Sequence, residues 1–189
     1  CDYKDWDPEF DELLPATYSV DNLTGKQVCK ESLQQEVGLP VANLPIYGMV
    51  CRLTEQKGVP LLIPALEKFL HHQVQVVIVG SGDPALATQL QTMARDYPGK
   101  LAFINAYDDR LAHLVEAGAD FFLMPSLFEP CGLNQMYSLA YGTLPLVRAV
   151  GGLKDTVVDW DADPEHATGF CFNDPTAAIL LDTMRRSLL

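Results

Sequence analysis

The sequence of 189 residues is long enough for one globular domain with a sizeable core, and its 48% hydrophobic and 20% charged residues are typical of such a domain. The formal net charge of −12 argues against nonspecific binding to nucleic acid and to an anionic membrane surface, because both would repel the chain. No apolar run approaches the roughly 20 residues that a membrane-spanning helix needs. Five scattered cysteines without a Cys-x-x-Cys pair favour free thiols in a reducing compartment.

The start of the chain is acidic, rich in aromatic side chains and interrupted by proline. We expect residues 1–20 to form an extension that packs on a domain formed by residues 21–189. The chain begins with Cys1 rather than with methionine, before any predicted strand or helix, so we expect it to be a piece of a longer polypeptide. Three aromatic side chains of the extension should need cover from the domain: Tyr3, Trp6 and Phe10.

Apolar strand segments alternate with amphipathic helices along the rest of the chain. The predicted strands are 46–51, 74–79, 101–104, 121–124, 144–147 and 169–172. The predicted helices are 24–37, 61–70, 86–97, 110–117, a segment from 133 onward, and 176–189. Pro64 should make the second helix start late or kink. This alternation is typical of βαβ units, and we therefore expect an α/β fold built on a doubly wound, Rossmann-like parallel sheet.

One stretch combines a buried strand, a tight turn and the start of a helix. Glu129 precedes Pro130, whose ring disfavours a helical conformation at Glu129 and itself suits the first turn of a helix. A carboxylate would then lie beside the free backbone N–H groups of residues 131–134, at the carboxyl end of the strand 121–124. Ligands and anions bind at such places in α/β sheets. The alternative is a connecting loop with a solvated glutamate, and spacing alone does not decide between the two.

Two cations follow the first predicted strand. Arg52 and Lys57 should leave its carboxyl end, and Gly58 would allow a sharp turn before the next helix. If these cations face the helix start near residue 132, they could hold a diphosphate between them. The alternative is a solvated loop in which Arg52 pairs with Glu55.

Three further positions have weaker signals. Gly80-Ser81-Gly82 resembles half of a dinucleotide-binding fingerprint, but Ala85 replaces the third glycine, which argues against a nicotinamide cofactor and favours a plain turn. Tyr107 follows a predicted strand and could stack on a base or pack as an ordinary aromatic residue. A helix start can lower the pKa of the Cys131 thiol, but no histidine stands beside it in the sequence, so we do not interpret Cys131 as a nucleophile.

Four segments carry a specific resemblance to a known family: 52–58, 125–137, 141–148 and 151–156. Together they are similar to bacterial glycogen synthases and plant starch synthases, which are retaining glycosyltransferases of the GT-B fold that use ADP-glucose. The Glu-Pro-Cys-Gly-Leu run is the most specific part. Looser relatives carry a second glutamate eight positions after the first; here that position is Tyr137, as in the glycogen and starch synthases.

The resemblance implies a role for each matching residue. Arg52 and Lys57 would bind the diphosphate and stabilise the departing ADP, and Glu129 would hydrogen-bond the sugar hydroxyls. Tyr107 would stack on adenine. The backbone that faces the phosphates would come from four residues: Cys131, Gly132, Leu133 and Asn134. The family more often has threonine at position 134, so only the backbone role of Asn134 is carried over.

The resemblance also implies that this chain is the C-terminal, nucleotide-sugar-binding domain of a GT-B enzyme that needs no metal cofactor. An N-terminal domain with a Lys-x-Gly-Gly-Leu loop would hold most of the α-1,4-glucan acceptor. Residues 151–153 are not that loop, because no lysine stands two positions before them. We therefore expect this chain alone to lack synthase activity. The expected compartment is the bacterial cytoplasm or the plastid stroma.

The residues agree with metal-free glycosyl transfer. Cations and helix dipoles can stabilise a departing diphosphate, and no Asp-x-Asp motif follows a predicted strand to hold a divalent metal. No second carboxylate is identifiable as a nucleophile, so same-face attack by the acceptor hydroxyl is our hypothesis. Two alternatives stay open: a GT-B glycosyltransferase that uses a UDP- or GDP-sugar, and a noncatalytic module that binds nucleotide sugars.

Overall fold

The computed structural model describes residues 6–127, 133–149 and 157–188, and of residues 133–136 it describes the backbone alone. Three of the predicted site residues, Glu129, Cys131 and Gly132, lie outside these ranges. The predicted turn at Gly151-Gly152 and the side chain of Tyr3 also lie outside them.

The described residues form six parallel strands and six helices. The strands are β1 (Ile46–Leu53), β2 (Gln75–Gly82), β3 (Leu101–Ile104), β4 (Phe121–Met124), β5 (Leu144–Arg148) and β6 (Phe170–Phe172). The helices are α1 (Thr24–Glu36), α2 (Val59–Phe69), α3 (Pro84–Asp96), α4 (Asp109–Gly118), α5 (Leu133–Ala140) and α6 (Ala177–Arg186). The strand order is β3-β2-β1-β4-β5-β6, and every pairing is parallel. The predicted doubly wound, Rossmann-like sheet is confirmed.

Helices cover both faces of the sheet, which is why its strands are apolar on both sides. In β2, Val76 and Ile78 belong to the core shared with α2, α3 and α6. Their neighbours Val77 and Val79 belong to the core shared with α1, α4 and α5. All four side chains are almost fully buried. Burial on this scale contributes about 1.5–3 kcal/mol for each large apolar side chain, so the two cores hold the strand ends in fixed positions.

The Gly80-Ser81-Gly82 segment is not the turn that the sequence favoured. It continues strand β2 and pairs with Cys51, Arg52 and Leu53 of β1. Gly80 allows this close pairing, because a Cβ atom at position 80 would lie 2.2 Å from the carbonyl oxygen of Cys51. The chain turns only afterwards, where the Asp83 side chain accepts hydrogen bonds from the N–H groups of residues 85 and 86 and caps α3.

The sequence predicts that Pro64 makes helix α2 either start late or kink, and the helix does not start late. It begins at Val59, and Pro64 lies inside it. The missing N–H of Pro64 would have bonded to the carbonyl group of Pro60. Pro60 is exposed, so water can satisfy that carbonyl.

The described part of the N-terminal segment packs against α4 and α5, but not through every aromatic side chain. Trp6 stacks on the rings of His113 and Tyr137. Phe10 is 72% exposed, so the prediction that the domain covers its side chain is wrong. The segment turns at this point, with the Phe10 N–H donating to the Asp7 carbonyl, and the turn buries Asp11 instead.

A buried polar network joins α1, α4 and the end of α5. The Ser138 hydroxyl donates to the Glu116 carboxyl over 2.7 Å, and the Thr143 hydroxyl donates to the Glu116 carbonyl over 2.5 Å. Lys26 donates to the Thr143 hydroxyl over 2.9 Å and to the carbonyl of Ala117 over 2.8 Å. The other Glu116 carboxyl oxygen is buried and has no hydrogen-bond partner among the described residues. Burial raises the pKa of Glu116 to about 8, so this side chain is neutral over much of the physiological pH range.

This network predicts the pH dependence of stability. The pKa of Glu116 rises from an ordinary 4.5 to about 8 on folding, so the folded chain keeps a proton that the unfolded chain loses. The contribution of Glu116 to the free energy of unfolding is therefore fully present below about pH 4.5, and it is lost as the pH rises through about 8. Glu116→Gln keeps an acceptor for Ser138 and removes the titration. The difference in the free energy of unfolding, variant minus parent, should therefore increase by roughly 3 kcal/mol from pH 5 to pH 8.

Urea unfolding at several pH values measures this gain, and Glu67→Gln is the matched control. Glu67 is exposed on α2, so removing its charge should leave the pH dependence unchanged. If the curves of Glu116→Gln and the parent ran parallel from pH 5 to 8, Glu116 would not be neutral in the folded chain.

Candidate functional site

A cavity of about 810 Å³ opens at the carboxyl ends of β1, β2 and β4. Strands β1 and β4 are neighbours in the sheet, with β2 and β3 on one side and β5 and β6 on the other. This is the point where the strand order reverses, and ligands of open α/β sheets bind there. Three of the predicted site residues line this cavity together: Arg52, Lys57 and Tyr107.

Arg52 lies one residue before the end of β1, inside the strand and not beyond it as the sequence suggested. The strand is longer than predicted because residues 51–53 pair with the Gly80-Ser81-Gly82 extension of β2. The Arg52 side chain is exposed. Within the described ranges, its guanidinium forms no ion pair with Glu55, so the structure does not support the alternative of an Arg52–Glu55 pair.

Lys57 lies in a turn that is attached to the segment after β4. Gly58 has a φ angle of +76°, and a Cβ atom there would lie 1.9 Å from the Pro125 carbonyl oxygen. The Leu127 N–H donates to the Gln56 carbonyl over 2.8 Å. Backbone contact therefore holds the turn that carries Lys57 against the segment leading to Glu129.

Tyr107 is 84% exposed in the loop between β3 and α4. This exposure excludes ordinary core packing, the second option that the sequence left open. The next residue, Asp108, caps α4 by accepting a hydrogen bond from the Leu111 N–H over 3.0 Å, which fixes the end of the loop. Stacking of Tyr107 on a base stays a prediction.

The start of α5 is the fourth predicted part of the site. Leu133 and Asn134 are the first two residues of α5, which follows β4 in the chain. The first N–H groups of a helix have no partner within that helix, and they favour anions. The roles of Glu129, Cys131 and Gly132, which lie outside the described residues, stay predictions.

Sequence reasoning assigned no role to two other residues near the site. Arg148, at the carboxyl end of β5, donates to the carbonyls of Leu127 and Asn173 over 2.8 and 3.0 Å. Its place at the end of a predicted strand was a usable signal. Trp6 also lines the cavity. No signal in the sequence links Trp6 to the site, because its partners lie more than a hundred residues away.

Cys51 also lines the cavity, but it is not an activated nucleophile. Burial raises the pKa of the Cys51 thiol to about 12, although the Lys57 cation opposes the shift. Over the described ranges, no group of three or more His, Cys, Asp or Glu side chains could hold a metal ion. None of the helices described is long and apolar enough to cross a membrane.

An all-parallel sheet in this strand order, with a cavity at the point of strand reversal, defines a doubly wound, Rossmann-like domain. Residues 31–189 match the family described as "Glycosyl transferases group 1". The chain belongs to this family.

Several known proteins are similar to the chain over its whole length. It is 85% identical over 189 residues to the glycogen synthase of Aeromonas salmonicida and 60% identical over 192 aligned residues to that of Vibrio parahaemolyticus. All of this chain is covered in both cases, but only 39% and 40% of those two proteins. The chain thus spans about two fifths of the length of the curated relatives it matches.

A solved structure supports the same relationship. The catalytic domain of starch synthase IV from Arabidopsis thaliana, bound to ADP and acarbose, superposes with a TM-score of 0.92 at 32% identity. The match covers 98% of this chain and 39% of that one. The resemblance to glycogen and starch synthases and the GT-B type of fold are therefore confirmed.

The contact between Gly58 and Pro125 predicts unequal effects of two alanine substitutions. Gly38 and Gly58 have similar φ angles of +80° and +76°, but nothing lies within 4 Å of a Cβ atom at position 38. Gly38→Ala should therefore cost only the strain of a left-handed conformation, about 1–2 kcal/mol. Gly58→Ala should cost about 1–3 kcal/mol more, because it also pushes against the Pro125 carbonyl.

Urea unfolding of the two variants gives this difference directly, since Gly38→Ala serves as the control for backbone strain. Equal losses in the two variants would mean that the turn at Gly58 moves away from Pro125 at no cost.

Proposed function

We propose that this chain provides the ADP-glucose-binding part of a glycogen synthase. The whole enzyme would transfer glucose, with retention of configuration, to the non-reducing end of an α-1,4-glucan. One observation carries the proposal: Arg52, Lys57 and Tyr107 line a single cavity at the point of strand reversal. The 85% identity to a glycogen synthase supports the choice of reaction.

The cavity suits a nucleoside diphosphate with its base near Tyr107 and its phosphates near the cations. An exposed aromatic ring can stack on a base. Arg52 offers a fork of donors for phosphate oxygens, and Lys57 offers a mobile charge. The start of α5 adds backbone N–H groups for the same anion. Starch synthase IV, the solved relative, has ADP bound.

In the proposed reaction, the bond between the anomeric carbon and the diphosphate breaks, and the electron pair leaves with ADP. Arg52 and Lys57 would stabilise the negative charge that develops on the departing oxygens, so no metal ion is needed for this role. Glu129 would hold the hydroxyls of the transferred glucose. The acceptor hydroxyl would attack from the face that ADP leaves, which preserves the configuration. Its oxygen would bond to the anomeric carbon, and its proton would pass to an oxygen of the departing diphosphate.

The glycogen synthases that match are about two and a half times as long as this chain. We propose that the remaining part of such a protein binds most of the glucan and closes over the donor. Residues 21–189 would then be the donor domain. The bacterial sources of the relatives and the free thiols of Cys29, Cys51 and Cys171 favour the bacterial cytoplasm as the compartment.

The cation pair predicts the response of ADP binding to mutation. Arg52→Ala and Lys57→Ala should each weaken ADP binding by about 10- to 100-fold, since each removes charged hydrogen bonds to the diphosphate. Arg95→Ala is the matched control, because Arg95 is exposed on α3 and does not line the cavity. Calorimetry with ADP, UDP and GDP measures these affinities and separates ADP-glucose from the other nucleotide sugars. A preference for UDP or GDP would overturn the proposed donor.

The transfer reaction is tested on a polypeptide of the relatives' length that contains this chain. We expect it to incorporate labelled glucose from ADP-glucose into glycogen, and Arg52→Ala to reduce the rate by a similar factor. The 189-residue chain alone should give no incorporation. If this chain transferred glucose alone, or the longer polypeptide did not, the proposed division of the enzyme would be wrong.

A further inference from the structure

Among the described residues, Trp6 is the one residue of the N-terminal segment that lines the cavity. The other lining residues that the structure describes lie between Met49 and Ser126. Trp6 is half-buried, which leaves part of the indole open to the cavity. An indole N–H is a hydrogen-bond donor only, and no acceptor for it is found in the described part of the chain. Trp6 therefore offers both apolar surface and a donor to a molecule in the cavity.

Aromatic stacking fixes the orientation of the Trp6 ring. Its centroid lies 3.6 Å from that of His113 on α4, with 13° between the planes. It lies 4.3 Å from the Tyr137 ring on α5, with 8° between the planes. Tyr141 meets the indole edge to face at 6.3 Å. Two buried rings on different helices thus define the plane of the indole.

The segment that carries Trp6 is itself anchored by buried hydrogen bonds. Asp11 is 4% exposed, and its carboxylate lies 2.6 Å from His113 Nδ1 and accepts from the Tyr141 hydroxyl over 2.5 Å. Burial and the hydrogen bond to Asp11 raise the pKa of Tyr141, so its hydroxyl keeps its proton and donates. The Tyr18 hydroxyl donates to the Tyr141 carbonyl over 2.7 Å. The position of Trp6 is therefore set before any ligand arrives.

The partners of Trp6 place it between the two ends of the proposed nucleotide. His113 lies one helical turn after Asp109, which lines the cavity at the start of α4 close to Tyr107. Tyr137 lies one turn after Leu133 at the start of α5. Trp6 thus reaches the cavity from the side between the proposed sites of the base and of the phosphates. Tyr137 itself is not among the described residues that line the cavity, whereas Trp6, which stacks on it, is.

We propose that Trp6 contacts the nucleoside part of the donor and helps to set the selectivity of the site. The inference rests on the proposed ADP-glucose site. Tyr107, Arg52 and Trp6 line one cavity, so a nucleoside diphosphate that stacks at Tyr107 and reaches Arg52 would meet the indole with its ribose. In this arrangement Trp6 contacts the nucleoside, whereas Arg52 and Lys57 contact the phosphates.

The test compares two ligands that share phosphates but not the nucleoside: ADP and pyrophosphate. Trp6→Ala should weaken ADP binding about tenfold and leave pyrophosphate binding within about twofold, because only ADP meets the indole. Arg52→Ala should weaken both. Trp6→Phe keeps a stacking ring on His113 and Tyr137 and should lose less ADP affinity than Trp6→Ala. Calorimetry of each variant gives the affinities.

A purely structural role for Trp6 would weaken ADP and pyrophosphate binding equally, and that result would overturn the proposal. Unchanged ADP binding in Trp6→Ala would also overturn it. If Arg52→Ala bound ADP as the parent does, the proposed donor site would fail instead, so the two failures are distinguishable.

A second measurement tests the proposal even if the Trp6→Ala variant does not fold. The chain has two tryptophans, and Trp160 is half exposed beside Phe170 of the edge strand β6. Trp160→Phe leaves Trp6 as the only tryptophan. We expect ADP to change its fluorescence with the same affinity that calorimetry gives, and pyrophosphate to change it much less. ADP binding with no change in Trp6 fluorescence would contradict the contact.

Discussion

The site depends on the close backbone contact between Gly58 and Pro125. This contact joins the turn after β1 to the segment after β4, at the point where the strand order reverses. Only glycine fits there, because the φ angle is positive and a side chain would meet the Pro125 carbonyl. The hydrogen bond from the Leu127 N–H to the Gln56 carbonyl adds a second link. Backbone contacts therefore hold the turn that carries Lys57 against the segment that leads to the predicted carboxylate.

Helices α4 and α5 position the opposite side of the cavity, and polar groups hold both in place. Ser138 and Thr143 hydrogen-bond to Glu116 from within and just after α5. On the outer side, Asp11 joins α4 to the end of α5 through His113 and Tyr141. Buried hydrogen bonds of this kind are directional, whereas apolar packing alone tolerates small shifts. The start of α5 can thus keep a fixed direction, which a helix dipole needs in order to act on an anion.

The sequence predicts the fold and part of the site because those features depend on local pattern. Apolar runs such as 121–124 place the strand ends, and parallel strands bring their carboxyl ends to one edge, so Arg52, Lys57 and Tyr107 could be grouped in advance. The extension of β2 through Gly80 could not be foreseen, because it depends on pairing with β1. The place of Trp6 in the cavity was also unpredictable. It depends on tertiary contacts with His113 and Tyr137, which no local spacing encodes.

The net charge of −12 makes the location of the cations decisive. The field of the whole chain repels a nucleoside diphosphate at long range, and salt screens that field beyond about 8–10 Å. For the proposed ligand, attraction must therefore arise inside the cavity, which Arg52 and Lys57 line. Short-range contacts with the base and the phosphates then decide which anion binds. In the proposed function, the overall acidic charge would disfavour nucleic acids, while the local pair of cations would let a small nucleotide sugar bind in the cavity.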